Sequence, residues 1–207
     1  IFNPELGGTL AYEYGSFKRI INCRLHGKPD VGRKSVLQQF SLQLDCLNPF
    51  WREEDEQKED IASWVAAWHF PCVIEKDNSK SMIFGYRAES VIVDCFNEGD
   101  VSTGMRVRFT ALGTVTNPVI LNVDTEEFIK LNVTMQTGDV IEVNTKYGSK
   151  GATLTRDGVK YDYFRKVDVD STFMQLDIGD NNFRYDADGG VNSMEVSIFY
   201  DREYLGV

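Results

Sequence analysis

Apolar and polar residues alternate along several short stretches of this chain, and this alternation constrains its fold more than any other feature. In "MRVRFTALG", the apolar residues Met105, Val107 and Phe109 are each followed by a polar residue. A second run, "SMEVSIFY", keeps the same period with Met194, Val196, Ile198 and Tyr200. Successive side chains of a strand point to opposite faces, so each run predicts a β-strand with one buried face.

Turn residues separate these runs at short intervals. Gly15-Ser16 stands between "TLAYEY" and "FKRIINCRL", which predicts a β-hairpin near the start of the chain. "VLQQFSLQLDC" alternates in the same way and predicts a further strand. Asp157-Gly158 favours a tight hairpin turn, because both residues tolerate positive φ. Short strands joined by such turns predict a mainly β chain that contains an antiparallel β-sandwich.

One stretch has a different period. Acidic residues fill the front of "REEDEQKEDIASWVAAWHFP", and the apolar residues behind them follow at spacings of three and four, at Ile61, Trp64, Val65 and Trp68. This spacing predicts one short helix that ends before Pro71, with the acids at the positive end of its dipole. The apolar stripe is either core packing or a subunit or domain interface, and both interpretations stay open.

The helix-like stretch divides the chain into two predicted domains. Residues 1–70 form a partial N-terminal β domain that includes the short helix, and residues 71–207 form the β-sandwich. The chain opens with Ile1-Phe2-Asn3-Pro4 instead of Met, so we expect it to begin inside a longer gene product.

The net charge of −10 excludes some classes of partner. An acidic surface repels phosphate backbones and anionic lipid, so we expect neither sequence-specific nucleic acid nor a membrane as partner. No Cys-x-x-Cys pair occurs, and the cysteines stand among apolar neighbours, so we predict buried thiols, no metal site and no cofactor. These cysteines are Cys23, Cys46, Cys72 and Cys95.

Carboxylates concentrate in "STFMQLDIGDNNFRYDAD", which holds Asp177, Asp180, Asp186 and Asp188. The stretch lacks the spacing of a calcium loop, because Gly189 comes one position late for a loop that starts at Asp186. Gly-Asp-Asn-Asn at 179–182 is instead typical of a turn. We therefore predict turns and solvated strand faces for this stretch.

No nucleophile motif occurs, and His26 and His69 are the only histidines, so we predict that the chain is not an enzyme. A pair of carboxylates across a cleft stays open, since spacing alone does not exclude glycoside hydrolysis. Exposed aromatic rings of a sandwich can also stack on sugars, although each ring can equally pack across its sheet. The candidates for stacking are Tyr147, Tyr161, Tyr163 and Tyr185.

Four segments, most of the second half of the chain, carry a resemblance to a known family. They are "FNEGDVSTGMRVRFTALGTVTNPVILNV", "EEFIKLNVTMQTGDVIEVNTKYGSK", "DVDSTFMQLDIGDNNFRYDA" and the ending "YLGV". "NPFW" at 48–51 and "IASWVAAWHFP" at 61–71 extend the resemblance into the first half. Together they resemble the distal tail proteins (Dit) of long-tailed, non-contractile siphovirus phages and prophages.

The resemblance implies an architecture and a place in the virion. In that family the N-terminal domain forms a ring, usually of six copies, and a galectin-like β-sandwich follows it. The ring joins the tail tube to the tail-tip hub and its receptor-binding proteins, and it is assembled in the bacterial cytoplasm. The family has no catalytic residues, and its first domain begins with strands that would precede Ile1.

Three functions follow from these observations. The first is a structural protein of the distal tail or baseplate, which works by forming the hub ring. The alternative is a carbohydrate-binding module of the tail tip that recognises host cell-wall glycan. The third is a tail-associated hydrolase, which requires opposed carboxylates in a cleft.

Overall fold

The computed structural model describes residues 5–15, 17–32, 39–62, 64–66, 85–87 and 92–207. The chain forms two compact units. Unit 1 consists of Ile1–Glu56, Gly99–Val101 and Asp201–Val207, and unit 2 consists of Gln57–Glu98 and Ser102–Tyr200. The predicted domain boundary between residues 70 and 71 lies outside the described residues and stays a prediction. No helix in the described ranges is long and apolar enough to cross a membrane.

Strands dominate the described residues, which confirms the prediction of a mainly β chain. Two short 3₁₀ turns, at Phe164–Lys166 and Val191–Ser193, interrupt them. The strands, numbered along the chain, are β1 (Gly7–Tyr14), β2 (Phe17–Leu25), β3 (Asp30–Val31), β4 (Phe40–Ser41), β5 (Leu44–Asp45), β6 (Trp51–Arg52), β7 (Gln57–Ala62), β8 (Trp64–Ala66), β9 (Gly85–Arg87), β10 (Ile92–Asp94), β11 (Thr103–Ala111), β12 (Val115–Asn122), β13 (Phe128–Lys130), β14 (Thr134–Met135), β15 (Val140–Asn144), β16 (Gly151–Arg156), β17 (Val159–Asp162), β18 (Gln175–Leu176), β19 (Asn182–Gly189), β20 (Met194–Tyr200) and β21 (Glu203–Tyr204).

Unit 1 contains one larger antiparallel sheet with the strand order β1-β2-β6-β21, and β5 also pairs with β2. The predicted hairpin is confirmed, because β1 and β2 pair along their whole length, from Tyr14 opposite Phe17 to Gly7 opposite Arg24. Gly15 makes the turn with a φ of +63°, a conformation that glycine adopts at little cost. The strand predicted over "VLQQFSLQLDC" is present only as the short strands β4 and β5, with residues 36–38 outside the described ranges.

Unit 2 is a sandwich of two antiparallel sheets, as the alternation predicted. The larger sheet has the order β17-β16-β15-β11-β20-β7, with β18 also paired to β11, and the smaller has the order β10-β19-β12-β13, with β14 also paired to β12. The inward residues of β11 and β20 meet in register, with Phe109 opposite Val196 and Val107 opposite Ile198. These four side chains are fully buried in the core between the sheets.

The two predicted turns of unit 2 have the expected geometry. Asp157 and Gly158 have φ values of +50° and +77° and join β16 to β17, which confirms the hairpin. In the acidic stretch, buried Asn181 organises the turn: its Nδ2 donates to the carbonyl oxygens of Asp177 at 2.8 Å and Gly179 at 3.0 Å. Its Oδ1 accepts from the backbone N–H of Asp177 at 2.8 Å, which closes the turn. The prediction of a structural turn is therefore confirmed.

The predicted helix is wrong wherever the structure describes it. Gln57–Ala62 form β7, and Trp64–Ala66 form β8, which pairs with β9. β7 extends the larger sheet by pairing with β20, and this places Ile61 in the core while Lys58 and Asp60 face outward. Pairing on a sheet edge satisfies the backbone and buries an apolar side chain, which outweighs the weak helical preference of a short charged run. Residues 67–71 of the predicted helix lie outside the described ranges.

Three cysteines lie in the described ranges, and all three are free thiols. Cys95 is buried as predicted, and burial, followed by the charges of Glu59 and Asp94, raises its pKa to about 12. Cys23 and Cys46 are only half-buried, which corrects the prediction for these two. Cys23 lies on β2 and Cys46 directly follows β5, in unit 1, where few of the described residues are buried.

An ion pair between buried Asp139 and the partly exposed Arg156 fixes the start of β15. Asp139 is 2% exposed, and its two carboxylate oxygens accept from Arg156 Nε at 2.7 Å and Nη2 at 2.5 Å. Asp139 Oδ2 also accepts from the backbone N–H of Gln136 at 2.7 Å. The hydrogen bonds from Arg156 outweigh the effect of burial, so the pKa of Asp139 is held below its usual value.

Candidate assembly surfaces

The first strand of unit 1 is exposed along its whole length. All eight residues of β1 are exposed, and on one side β1 pairs with β2. Within the described residues no strand pairs with its other side. An exposed strand edge of this length presents unpaired N–H and C=O groups that favour the addition of another strand.

One face of this hairpin is an apolar stripe. Side chains of even number on β1 share a face, and the register places Tyr14 beside Phe17 of β2 on that same face. We call this stripe the ribbon surface, and it consists of the exposed residues Leu10, Tyr12, Tyr14 and Phe17. Exposed apolar patches on otherwise soluble proteins mark sites of association.

A depression of about 630 Å³ lies within unit 1, at the end of the hairpin that is far from its turn. It runs across β1, β2 and the segment after β5, and its lining is Gly7, Gly8, Thr9, Asn22, Cys23, Arg24, Asp45, Leu47 and Asn48. Gly7 and Gly8 keep it open, because they carry no side chains. The same hairpin therefore carries an apolar stripe and, around Thr9, Asn22 and Arg24, a concave surface.

Aromatic and charged contacts hold β2 in place close to the turn of the hairpin. The Arg19 guanidinium lies 4.5 Å from the ring centre of Phe17 and 3.6 Å from that of Tyr204 on β21. Tyr204 in turn donates its hydroxyl to Glu53 Oε1 at 2.7 Å. Burial, together with the Glu53 carboxylate, raises the pKa of Tyr204 to about 12, so its hydroxyl keeps its proton at neutral pH. The ribbon surface is thus anchored next to the turn, through Phe17 and Arg19.

The predicted interface residues do not share one described surface. Ile61 is 1% exposed and belongs to the core of unit 2. For this residue the structure agrees with core packing, one of the two interpretations that the sequence left open. Trp64 and Val65 lie on β8, and the structure describes their backbone only. Trp68 lies outside the described ranges. An interface role for Trp64, Val65 and Trp68 stays a prediction.

The four tyrosines predicted for sugar stacking are spread over different environments. Tyr185 is 7% exposed and packs in the core, so it offers no ring face to a ligand. Tyr147 is 80% exposed in the turn before β16, and Lys150 Nζ lies 5.3 Å from its ring centre. Tyr161 is exposed on the edge strand β17, and Tyr163 is half-buried against the core. Stacking by these three stays a prediction.

Neither histidine belongs to a described constellation of catalytic side chains. His26 Nδ1 lies 2.7 Å from Asp45 Oδ2 on the exposed surface of unit 1, and His69 lies outside the described ranges. Among the described residues, no three His, Cys, Asp or Glu side chains are grouped so that they could hold a metal ion. Sequence reasoning missed the ribbon surface, although the alternation of apolar residues on both strands of its hairpin was visible.

Solved structures of phage tail proteins share this fold. The chain is similar to SPP1 Dit (gp 19.1), described as a paradigm of the hub adsorption apparatus in phages that infect Gram-positive bacteria, with a TM-score of 0.59 and 12% identity. That match covers 90% of this chain and 61% of SPP1 Dit, so the chain spans about three fifths of its length. A chain of the phage P2 baseplate in its activated conformation with Ca is also similar, with a TM-score of 0.53, 11% identity, and coverage of 96% and 69%.

Sequence identities of 12% and 11% show a shared fold but not a shared family. A match to a sequence family supplies that evidence. No curated protein matches the chain. The profile of the family described as siphovirus-type tail component, C-terminal domain, matches residues 98–204, which is more than half of the chain. The chain therefore belongs to the siphovirus-type tail component family and is a component of a phage tail.

Proposed function

We propose that this chain is a structural protein of the distal tail that assembles into the hub ring between the tail tube and the tail-tip adsorption apparatus. Family membership supports a tail role, and the fold shared with a hub protein and a baseplate protein supports this position. The observation that carries the proposal is the ribbon surface beside an unpaired strand edge.

The proposed occupant of the ribbon surface is a second copy of the chain. A ring requires a heterologous contact, in which one surface of a subunit meets a different surface of the next. The hairpin offers a free strand edge and an apolar face, and the depression at its other end offers a different, concave surface for the next subunit to meet. Ring closure would leave no hairpin edge free, which removes the aggregation risk of an exposed strand.

The proposed work of the protein is geometric, and we propose no catalytic step. Its partners are further copies of itself, the tail tube protein and the tail-tip hub protein, with receptor-binding proteins attached to the ring. For the number of copies, the resemblance to distal tail proteins implies six. The protein would be assembled in the bacterial cytoplasm and would act at the tail tip of the virion.

Charge substitution on the ribbon surface tests this proposal. We expect Leu10→Lys combined with Tyr12→Lys to abolish self-association, because two desolvated ammonium groups would oppose burial of the stripe. The matched control is Tyr147→Lys, which places one lysine at an exposed aromatic position of unit 2. Analytical ultracentrifugation of the protein reports the oligomer. An unchanged oligomer in the double variant would contradict the proposed contact.

A further inference from the structure

The smaller sheet of unit 2 carries a shallow trough on its outer face. The trough has a volume of about 260 Å³, and its lining is Val119, Leu121, Phe128, Arg184, Asp186, Ala187 and Asp188. The register explains the lining: Leu121 on β12 lies opposite Arg184 on β19 and Phe128 on β13. Two residues earlier on β12, Val119 lies opposite Asp186 on the same outer face.

The floor of the trough is apolar. Val119, Leu121 and Phe128 are each half-buried, although they face away from the core. Outward positions of a sandwich are ordinarily polar, so three apolar side chains in adjacent rows are unusual.

The rim of the trough is charged and open. The carboxylate of Asp186 and the guanidinium of Arg184 are about half exposed and lie 3.5 Å apart, at the outer limit of a hydrogen bond. Arg184 therefore keeps donors, and Asp186 keeps acceptor positions, for a ligand. The charged residues of the lining are Arg184, Asp186 and Asp188, so carboxylates outnumber the one cation.

A rigid carboxylate closes one end of the trough. Asp188 Oδ2 accepts from Asn117 Nδ2 at 2.8 Å and from Lys130 Nζ at 3.1 Å. The hydrogen bond from Asn117, followed by that from Lys130, lowers the pKa of Asp188 and keeps it ionised. Asn117 itself has a φ of +50° and accepts from the backbone N–H of Val133 at 3.0 Å, so its amide is fixed.

The outer face of the larger sheet lacks these properties. There Glu142 Oε1 accepts from Arg106 Nη1 at 2.9 Å and Arg108 Nε at 2.8 Å. The two guanidinium groups lie 4.5 Å and 4.7 Å from the ring centre of Phe199, which is only 9% exposed beneath them. Charge pairs cover the aromatic ring on this face, whereas in the trough the apolar floor is open to solvent.

We infer that the trough is a binding site for one unit of a neutral saccharide. A sugar ring presents C–H groups on its face and hydroxyl groups around its edge, which matches an apolar floor surrounded by acceptors and donors. Adjacent hydroxyl groups would donate to the Asp186 carboxylate and accept from the Arg184 guanidinium. The two carboxylates on the rim disfavour a phosphate polymer, and the small volume suits one ring rather than a peptide.

Titration with neutral oligosaccharides tests this inference on the complete chain. The probes are maltotriose, lactose and chitotriose, and the readout is the ¹H–¹⁵N spectrum. We expect at least one probe to shift amides of β12, β13 and β19, with a dissociation constant of about 1 mM, because a shallow site buries little of the ligand. Absence of shifts with all three probes, or shifts centred on Tyr147 and Tyr161, would overturn the inference.

Two substitutions separate a real site from chance contact. Asp186→Asn removes the exposed charge without changing side-chain shape, and we expect affinity to fall at least about tenfold because hydrogen bonds to a charged acceptor are lost. Arg184→Gln should give a smaller loss. Tyr147→Ala is the control, and it should leave affinity unchanged. Equal affinity of wild type and Asp186→Asn would also overturn the inference. Both results are independent of ring assembly, because the trough lies within unit 2.

Discussion

Units 1 and 2 are built from the same kind of antiparallel strand pairs but bury their apolar residues to different degrees. In unit 2, Phe109, Phe183 and Tyr200 belong to one continuous core between two sheets. In the described part of unit 1, the buried apolar residues are Ile20, Ile21, Leu25 and Tyr204. Not one residue of β1 is buried.

The difference shows where each unit obtains its stability. A sandwich with a shared core folds by burying its own apolar surface, which is the main favourable contribution to folding. A single sheet with one thin layer of buried residues gains little in this way, and needs another surface to cover it. Unit 2 thus has a core of its own, whereas unit 1 has the exposed apolar surface that the proposed ring contact would cover.

The largest predicted effect concerns the core of unit 2. Phe109 is fully buried at the centre of β11, and Phe109→Ala should destabilise unit 2 by about 3–5 kcal/mol through lost contacts and a cavity. Hydrogen exchange of β11 and β20 amides measures the loss. The matched control is Phe164→Ala at an exposed position, expected to cost about 1 kcal/mol or less. Equal losses for the two variants would contradict a self-sufficient core.

The next largest loss of stability is expected at Gly104, where two segments of backbone lie close together. A Cβ at Gly104 would lie 2.4 Å from Lys146 Cα, so Gly104→Ala forces β11 away from the turn after β15. We expect a loss of about 1–3 kcal/mol, in the range of overpacked sites. Gly189→Ala is the control, since its nearest neighbour, Thr116 Cβ, is 3.8 Å away. Thermal denaturation compares the melting temperatures of the two variants. An unchanged melting temperature of Gly104→Ala would contradict the predicted clash between β11 and Lys146.

The ion pair at Asp139 predicts a dependence on pH. Asp139→Asn should cost about 1–3 kcal/mol at neutral pH, because Arg156 loses its charged partner. The pKa of Asp139 is lowered in the folded state, so this stabilisation is complete above the unfolded value of about 4 and disappears as the pH falls through the lowered folded value.

The difference in melting temperature between wild type and Asp139→Asn should therefore shrink as the pH is lowered below about 4. The exposed Asp180→Asn serves as control and should follow wild type at every pH. A constant difference between wild type and Asp139→Asn would show that the carboxylate charge is not what stabilises the turn.

The smallest effect on stability is expected at the ribbon surface. Tyr14 is 77% exposed, and Tyr14→Ala should change the free energy of unfolding of the isolated chain by no more than about 0.5 kcal/mol. The same change should weaken self-association measurably, because a large aromatic contact is lost at the interface. If Tyr14→Ala destabilised the fold but left self-association unchanged, the proposed role of the ribbon surface in association would be contradicted.

Sequence reasoning was most successful where one local pattern decides the structure. The alternation on β11 and β20 placed their inward residues correctly, and Asp157-Gly158 specified its turn through positive φ. Asn181 was also placed correctly in a turn, although its hydrogen bonds to Asp177 and Gly179 were not foreseen.

Local patterns failed where a distant partner decides the structure. The spacing of Ile61, Trp64 and Val65 suited a helix, but β20, which lies more than a hundred residues away, recruits Gln57–Ala62 as an edge strand. The trough could not be predicted from the sequence for the same reason. Arg184 and Asp186 meet Leu121 and Phe128 only through the register of three strands, which no short stretch of sequence reveals.

Negative-stain electron microscopy of the protein tests the central claim that neighbouring copies cover the exposed surface of unit 1. We predict closed rings of uniform size for wild type and for Tyr147→Lys, and single particles without rings for Leu10→Lys combined with Tyr12→Lys. Wild-type monomers at every concentration, or rings that persist in the double variant, would contradict the account.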